Sequence, residues 1–279
     1  MEKIVGGFAF VEGIRWRDGQ LWFSDMHGDA VYRLDAVGDL KVVAEVPQKP
    51  SGLGWLPDGD LLIVSMADRK LLRQDDDGEL SIHADLSALA EKPFNDMVVD
   101  GQGRAYVGNF GFENAKGDAV CTSIVARVDP DGSVCQAADD LLFPNGMVIT
   151  PDGKTLIVAE TYGARLTAFD IEGDGSLSGR RLFAQLMDGS VPDGIALDAQ
   201  GAVWMASPTT MACLRVLPSG EIAQRIDTGR QAITCTLGGE DRKTLYIALS
   251  DSTDREECRA SMSAEIVSVR VDVPGAGLP

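Results

Sequence analysis

Short apolar runs, each set off by a turn of Asp-Gly or Pro-Asp-Gly type, recur along the chain with a regular spacing. Leu21-Trp22-Phe23-Ser24-Asp25 follows Asp18-Gly19, and Leu61-Leu62-Ile63-Val64-Ser65 follows Pro57-Asp58-Gly59. Ala105-Tyr106-Val107-Gly108-Asn109 comes after Asp100-Gly101-Gln102-Gly103, and Thr155-Leu156-Ile157-Val158-Ala159-Glu160 after Pro151-Asp152-Gly153. Ala202-Val203-Trp204-Met205-Ala206 follows Asp198-Ala199-Gln200-Gly201; a degenerate last copy has Gly239-Glu240-Asp241 before Thr244-Leu245-Tyr246-Ile247-Ala248. Such turns supply the backbone angles that join antiparallel strands. A second hairpin follows in the units, for example Ile124–Val128 turning through Asp129-Pro130-Asp131-Gly132. Helical periodicity is almost absent, so each unit reads as four short antiparallel strands.

The units repeat about every 40 to 50 residues, the spacing of propeller blades. Six of them predict an all-β fold, a six-bladed β-propeller of four-stranded antiparallel sheets around a central channel. The expected extent is one domain over residues 1–279. A pair of β-sandwiches is the alternative, and the regular repeat argues against it. The sixth unit reaches its third strand at Ala264–Val271 and then runs out. Lys3-Ile4-Val5-Gly6-Gly7-Phe8 is the candidate for the missing strand, closing the ring from the N-terminus.

In a propeller the first strand of each blade lines the channel, and all six run the same way. The residues that begin those strands, Glu12, Ser51, Asn95, Asn145, Asp193 and Thr234, therefore share one end of the axis. Two carboxylates and two amides converging there offer hard oxygen ligands for a divalent cation: Ca²⁺ first, with Mg²⁺, Mn²⁺ or Zn²⁺ as alternatives. The plainer account is that Asx residues before glycine only cap turns. The second strands return to the same face, which places Asp25-Met26-His27, Ser65-Met66, Asn109-Phe110, Glu160-Thr161, Ser207-Pro208 and Ser250-Asp251 around the mouth. Apolar walls with a few polar groups above a cation describe a small-molecule site.

Charge and composition narrow the partners. The net charge of −18 argues against nucleic acid and anionic membrane, which would repel the protein. No apolar run approaches the roughly 20 residues that span a bilayer, and the N-terminus lacks a signal-peptide pattern; a soluble, cytoplasmic monomer or dimer is expected. The five cysteines are widely spaced with no CxxC, as expected of reduced packing thiols. Of the two histidines, His27 falls at the rim and His83 in an outer strand, and neither sits in a nucleophile elbow. Asp75-Asp76-Asp77-Gly78-Glu79 lacks the ligand spacing of a calcium loop and reads as a hairpin.

Glu12-Gly13 before Arg15-Trp16, Phe94-Asn95-Asp96, Pro144-Asn145-Gly146 and Pro192-Asp193-Gly194, in that order, resemble the SMP-30/gluconolactonase/regucalcin-like family over essentially the whole chain. The resemblance implies a six-bladed propeller with one divalent ion at the top of the channel, and lactone hydrolysis as the activity. It implies Glu12, Asn145 and Asp193 as metal ligands, Asn95 as a contact to substrate or attacking water, and Glu113, in the rim loop Gly111-Phe112-Glu113-Asn114, as a contact to sugar hydroxyls. Asn109 and His27 join the substrate-binding set from their places at the mouth. Sugar lactonases of the family carry an Arg two residues before the Asn95 position, where this chain has Pro93. The expected chemistry is opening of a cyclic ester: the cation polarises the carbonyl and Asp193 serves as general base. A non-catalytic binding platform, and a lyase or isomerase on the same scaffold, are the alternatives.

Overall fold

A computed structural model describes residues 1–113 and 116–278. Its strands form six antiparallel sheets of four strands each, as the repeat predicts. The first blade contains β2 (Val11–Arg17), β3 (Gln20–Asp25), β4 (Ala30–Leu34) and β5 (Leu40–Glu45). The second contains β6 (Pro50–Trp55), β7 (Leu61–Ser65), β8 (Lys70–Gln74) and β9 (Leu80–Asp85). β10 (Phe94–Val99) to β13 (Val134–Leu141) make the third blade, with β11 at Ala105–Asn109 and β12 at Ser123–Val128. The fourth holds β14 (Pro144–Ile149), β15 (Thr155–Glu160), β16 (Arg165–Ile171) and β17 (Leu177–Gln185). In the fifth are β18 (Ile195–Leu197), β19 (Val203–Ser207), β20 (Ala212–Val216) and β21 (Ile222–Asp227).

The sixth blade draws on both ends of the chain. β22 (Gln231–Gly238), β23 (Thr244–Ser250) and β24 (Ala264–Arg270) are followed at the outer edge by β1 (Glu2–Phe8), which pairs with β24 from Glu2 opposite Ser268 to Phe8 opposite Ala264. The channel strands touch in cyclic order, β2 to β6, β10, β14, β18 and β22, and β22 returns to β2. After β24 the chain crosses the far end of the channel, where Leu278 pairs with Ile149 and Gly275 bridges to Asp198.

Apolar side chains fill the spaces between neighbouring blades. Val31, Ala44, Leu53 and Ile63 pack between the first and second; Phe8, Ile14, Phe23 and Ile266 pack between the sixth and first. The second strands are covered on both faces, so β7, β11 and β19 are buried at every position and lose the alternation of a half-exposed strand. Outer strands such as β5 and β9 face water. Asp75 does close a hairpin: its carboxylate accepts from the amides of Asp77 (3.0 Å) and Glu79 (2.9 Å). Among the described residues a helix, α1 (Arg255–Ser261), falls outside the strand pattern between β23 and β24; Asp254 caps it by accepting from Glu256 and Glu257 amides.

Candidate metal centre at the mouth of the channel

The channel strands do not run as plain ladders. Their pairing with the second strands slips between Glu12 and Arg15, Pro50 and Leu53, Phe94 and Met97, and Pro144 and Met147. Each slip falls at the ring residue of its blade. A bulge bends a strand and re-aims the side chain at the irregularity, so the same local defect sits beneath each of Glu12, Ser51, Asn95 and Asn145. Glycine beside the ring residue serves close approach. A Cβ at Gly146 would lie 2.6 Å from the Asp193 carbonyl oxygen, and one at Gly194 would lie 2.1 Å from Thr234 Oγ1. These Asx-Gly pairs hold channel strands together more tightly than any side chain allows, which a turn-capping account does not explain.

Three of the ring residues join in one hydrogen-bonded chain. Ser51 Oγ donates to Asn95 Oδ1 (2.8 Å), and Asn95 Nδ2 donates to Asn145 Oδ1 (2.9 Å). Asn145 Nδ2 donates to Thr161 Oγ1 (3.2 Å), which donates in turn to the Pro192 carbonyl (2.8 Å). Asp193 is held by its backbone, its amide donating to Ala206 O (3.0 Å). Asn145 Oδ1 accepts one hydrogen bond, leaving a second lone pair for another partner.

The electrostatics of the ring are unusual for a protein interior. Glu12 and Asp193 are both buried, and neither forms an ion pair among the described residues. Among the described residues the Glu12 carboxylate accepts only from the Gly13 amide (3.2 Å), and Asp193 Oδ1 is buried with no hydrogen-bond partner. Burial drives the Glu12 carboxyl well above its usual range, and the charges of Asp193 and Asp96 add to it. Burial, then Asp96, pushes Asp193 up to about 8, against the pull of the Asn145 amide. Two buried acids without a counter-charge cost several kcal/mol each if ionised. A divalent cation would remove that cost, and the donors present fit one: two carboxylates, the free lone pair of Asn145 and no sulfur or imidazole. No cluster of three His, Cys, Asp or Glu occurs among the described residues, so an amide oxygen has to complete any such site.

Arg15 is a residue the sequence pattern hides, since it stands inside an apolar channel strand. It is 2% exposed and joins three blades, donating to Leu53 O (3.0 Å), Met97 O (2.8 Å) and the Asp96 carboxylate (2.5 Å). An arginine in such a run is itself the signal, because a buried guanidinium requires acceptors. The pair also settles the place of Asp96: Arg15 and the Met97 amide (2.8 Å) take up its carboxylate below the ring.

At the mouth, the ends of the second strands differ from the expected wall of free polar groups. Asp25 accepts from the amides of Ala9, Phe10 and Gly28. Glu160 is enclosed by Arg165, Thr167 and the Leu142 amide. Asn109 donates to the carbonyls of Lys92 (2.6 Å) and Pro93 (3.1 Å) and accepts from Gly111 N and Ser123 Oγ. These buried groups fix the loops above them, because strand ends out of reach of water must find partners within the chain. His27 is buried against Phe10, with Nε2 donating to Thr253 O (3.3 Å), and burial lowers its pKa. Glu113 is half-buried and pairs with Lys116 (2.8 Å); Asn114 beside it lies outside the described residues. Phe110, Phe112, Phe143 and Tyr162 form an aromatic cluster over the third and fourth blades, Phe110 stacked on Phe143 at 4.2 Å. A shallow groove of about 380 Å³ elsewhere, on the outside of the fourth blade, is lined by Arg165, Arg180 and Arg181. Those arginines already engage Glu160, the Asp139 and Asp140 carbonyls, and Asp170.

Fold and ring together define a propeller whose channel strands present buried oxygen donors at one mouth. The chain belongs to the SMP-30/Gluconolactonase/LRE-like family, whose model matches residues 10–251. It is similar to a 6-deoxy-6-sulfogluconolactonase of Pseudomonas putida, 27% identical over 94% of this chain and 91% of that protein. A pentonolactonase, XacC, of Haloferax volcanii is 26% identical over 96% of this chain and 92% of its own length. Among solved structures, a calcium-binding regucalcin of Agrobacterium tumefaciens superposes with a TM-score of 0.83 at 22% identity, covering 100% of this chain and 96% of that one.

Proposed function

We propose that the protein is a metal-dependent lactonase whose centre is formed by Glu12, Asn145 and Asp193. The observation that carries this is the pair of buried, uncompensated carboxylates beside an amide oxygen at the mouth of the channel. The names of relatives matched over nearly the whole chain, a sulfogluconolactonase and a pentonolactonase, support a cyclic sugar ester as the substrate class. A divalent ion held there, Ca²⁺ first in order, would supply Lewis acidity to the lactone carbonyl and balance the negative charge that develops on its oxygen.

The chain's own residues do the rest. Asp193, 9% exposed, is the most open of the six ring residues, and its unpartnered Oδ1 is the acceptor for a proton from the attacking water. Asn95 orients substrate or water with its amide, which Ser51 and Asn145 hold by hydrogen bonds on either side. Asn109 positions the Pro93 carbonyl and the Gly111 loop, and Phe143 and Phe110 wall the mouth. Glu113 and His27 complete the rim.

Titration of Ca²⁺, Zn²⁺, Mn²⁺ and Mg²⁺ against a panel of aldonolactones tests the assignment. Turnover should depend on the metal and disappear in Asp193→Ala. Full activity in that variant would sink the role of Asp193, while metal binding with no hydrolysis of any lactone would favour a binding platform.

A further inference from the structure

In the first four blades the residue two places before the ring position shares a structural role. Its carbonyl accepts from the first amide beyond the second strand of its own blade: Phe10 from Met26 (2.8 Å), Lys49 from Met66 (3.0 Å), Pro93 from Phe110 (3.0 Å) and Phe143 from Thr161 (3.1 Å). These residues form an upper ring around the mouth. Phe10, Pro93 and Phe143 are apolar, and Lys49 is the single cation among the four.

Lys49 is held there at a cost. Its φ is +68°, in the left-handed region that non-glycine residues rarely enter, and Pro50 follows it. A turn closed by its own amide onto Val46 O (3.1 Å), and the bond from Ala67 N to Gln48 O (2.9 Å), fix the backbone in that conformation. Phe143, at the same position of its own blade, shares the conformation (φ +60°), so the backbone shape belongs to the rim position and only the side chain differs.

The charges acting on the Lys49 ammonium come from three other blades: Arg255 from the sixth, Glu113 and Lys116 from the third, Asp29 from the first. The backbone fixes where that turn sits: the Lys49 carbonyl accepts from Met66 at the end of β7 (3.0 Å), and Val46 N donates to Asp29 O of the first blade (2.8 Å). The acids among those charges are already engaged, Asp29 by Arg255 (3.0 Å) and Arg259 (3.0 Å), Glu113 by Lys116 (2.8 Å). Lys49 itself is half-buried and makes no hydrogen bond or ion pair among the described residues. Burial, with Arg255 close by, lowers its pKa, which describes an ammonium short of a counter-charge.

Resting on the lactonase reading, we infer that Lys49 receives an anionic group carried by the substrate on the carbon remote from the ester carbonyl. A compact ammonium on a flexible stem suits a carboxylate, sulfonate or phosphate as a point charge. The position is the counterpart, one blade earlier, of Pro93.

The test compares two lactones of the same ring size, D-glucaro-1,4-lactone, with a carboxylate at C6, and D-glucono-1,4-lactone, with a hydroxyl there. Lys49→Met should raise KM for the acidic lactone roughly 10- to 100-fold, the range of one charge-assisted hydrogen bond. Its kcat should change little, the neutral lactone should respond far less, and Lys49→Arg should recover part of the loss. Calorimetry of glucarate and gluconate on the metal-loaded proteins gives a readout without turnover: wild type should prefer glucarate, and Lys49→Met should lose the preference. Equal effects on both lactones, or no preference for glucarate in the wild type, overturn the inference. If neither lactone is opened but the glucarate preference depends on Lys49, the lactonase reading fails and the anion site stands.

Discussion

Single side chains at the channel mouth fall into two kinds. Some are satisfied and hold the structure, such as Arg15, Asp96, Asn109 and Glu160; others, Glu12, Asp193 and Lys49, are short of partners. The first kind predicts stability. Arg15→Met would leave Asp96 charged and uncompensated in a nearly dry interior, and should cost about 3–5 kcal/mol in urea denaturation. The double variant Arg15→Met/Asp96→Asn should regain much of that, since both charges are then gone; no recovery would mean that Arg15 acts through its bonds to the Leu53 and Met97 carbonyls. Position in the repeat gave Glu12, Asp193, Asn109 and Glu160 in the sequence, and it did not separate the satisfied from the unpartnered; it gave neither Arg15 nor Lys49. Asn109 and Asn95 are both amides near strand ends, yet only the three-dimensional neighbourhood shows Asn109 bonded on both sides by its own loops.

Among the elements, the repeated bulge in four of the channel strands is what re-aims the ring residues Glu12, Ser51, Asn95 and Asn145. Alternation of apolar and polar residues predicts a strand, and it does not reveal a slip of one register, because the bulged residue belongs to neither face. The outer rim carries its own test. β1 supplies the outer strand of the sixth sheet, so deletion of residues 1–9 should lower the melting temperature far more than loss of an ordinary tail, and the loss should be read by thermal denaturation. A variant melting like the full chain would show that β1 contributes little to closing the ring. At the β15–β16 turn, burial alone would raise the Glu160 pKa, but Arg165, Thr167 and the Leu142 amide outweigh it and hold it below the usual 4.5. A depressed folded-state pKa contributes stability above that value and withdraws it as the pH falls through the folded pKa. Glu160→Gln should therefore be destabilised by about 1–3 kcal/mol at neutral pH. It should also show a flatter loss of stability than wild type on acidification below pH 4.5. Parallel acid limbs in the two proteins would remove Glu160 from the account.

For the molecule as a whole, the proposed metal centre would tie stability to a cation through the buried acids of the mouth. Chelation should lower the melting temperature, and saturating Ca²⁺ should restore it, by about 2.7 kcal/mol at a hundred times Kd. In Glu12→Gln/Asp193→Asn the response to Ca²⁺ should vanish while the chelated protein is no less stable than chelated wild type, because the uncompensated charges are gone. A double variant that still shifts with Ca²⁺ would place the ion elsewhere. The net charge of −18 adds a uniform attraction for cations that salt would screen, so these measurements discriminate best at moderate ionic strength.

The periodic turns and apolar runs were enough by themselves to determine six blades, the antiparallel order within them and the ring of oxygen-bearing residues at one end of the axis, because strand period and turn chemistry are local properties of the chain. Family motifs could then assign candidate roles to Glu12, Asn145, Asp193 and Asn95. Tertiary structure alone decided which polar groups are satisfied. Burial, counter-charge and hydrogen-bond partners come from residues far apart in sequence: Arg15 meets Asp96, Ser51 meets Asn95, and Asn95 meets Asn145. The free energy of a buried charge depends on those neighbours, and a linear pattern contains none of them.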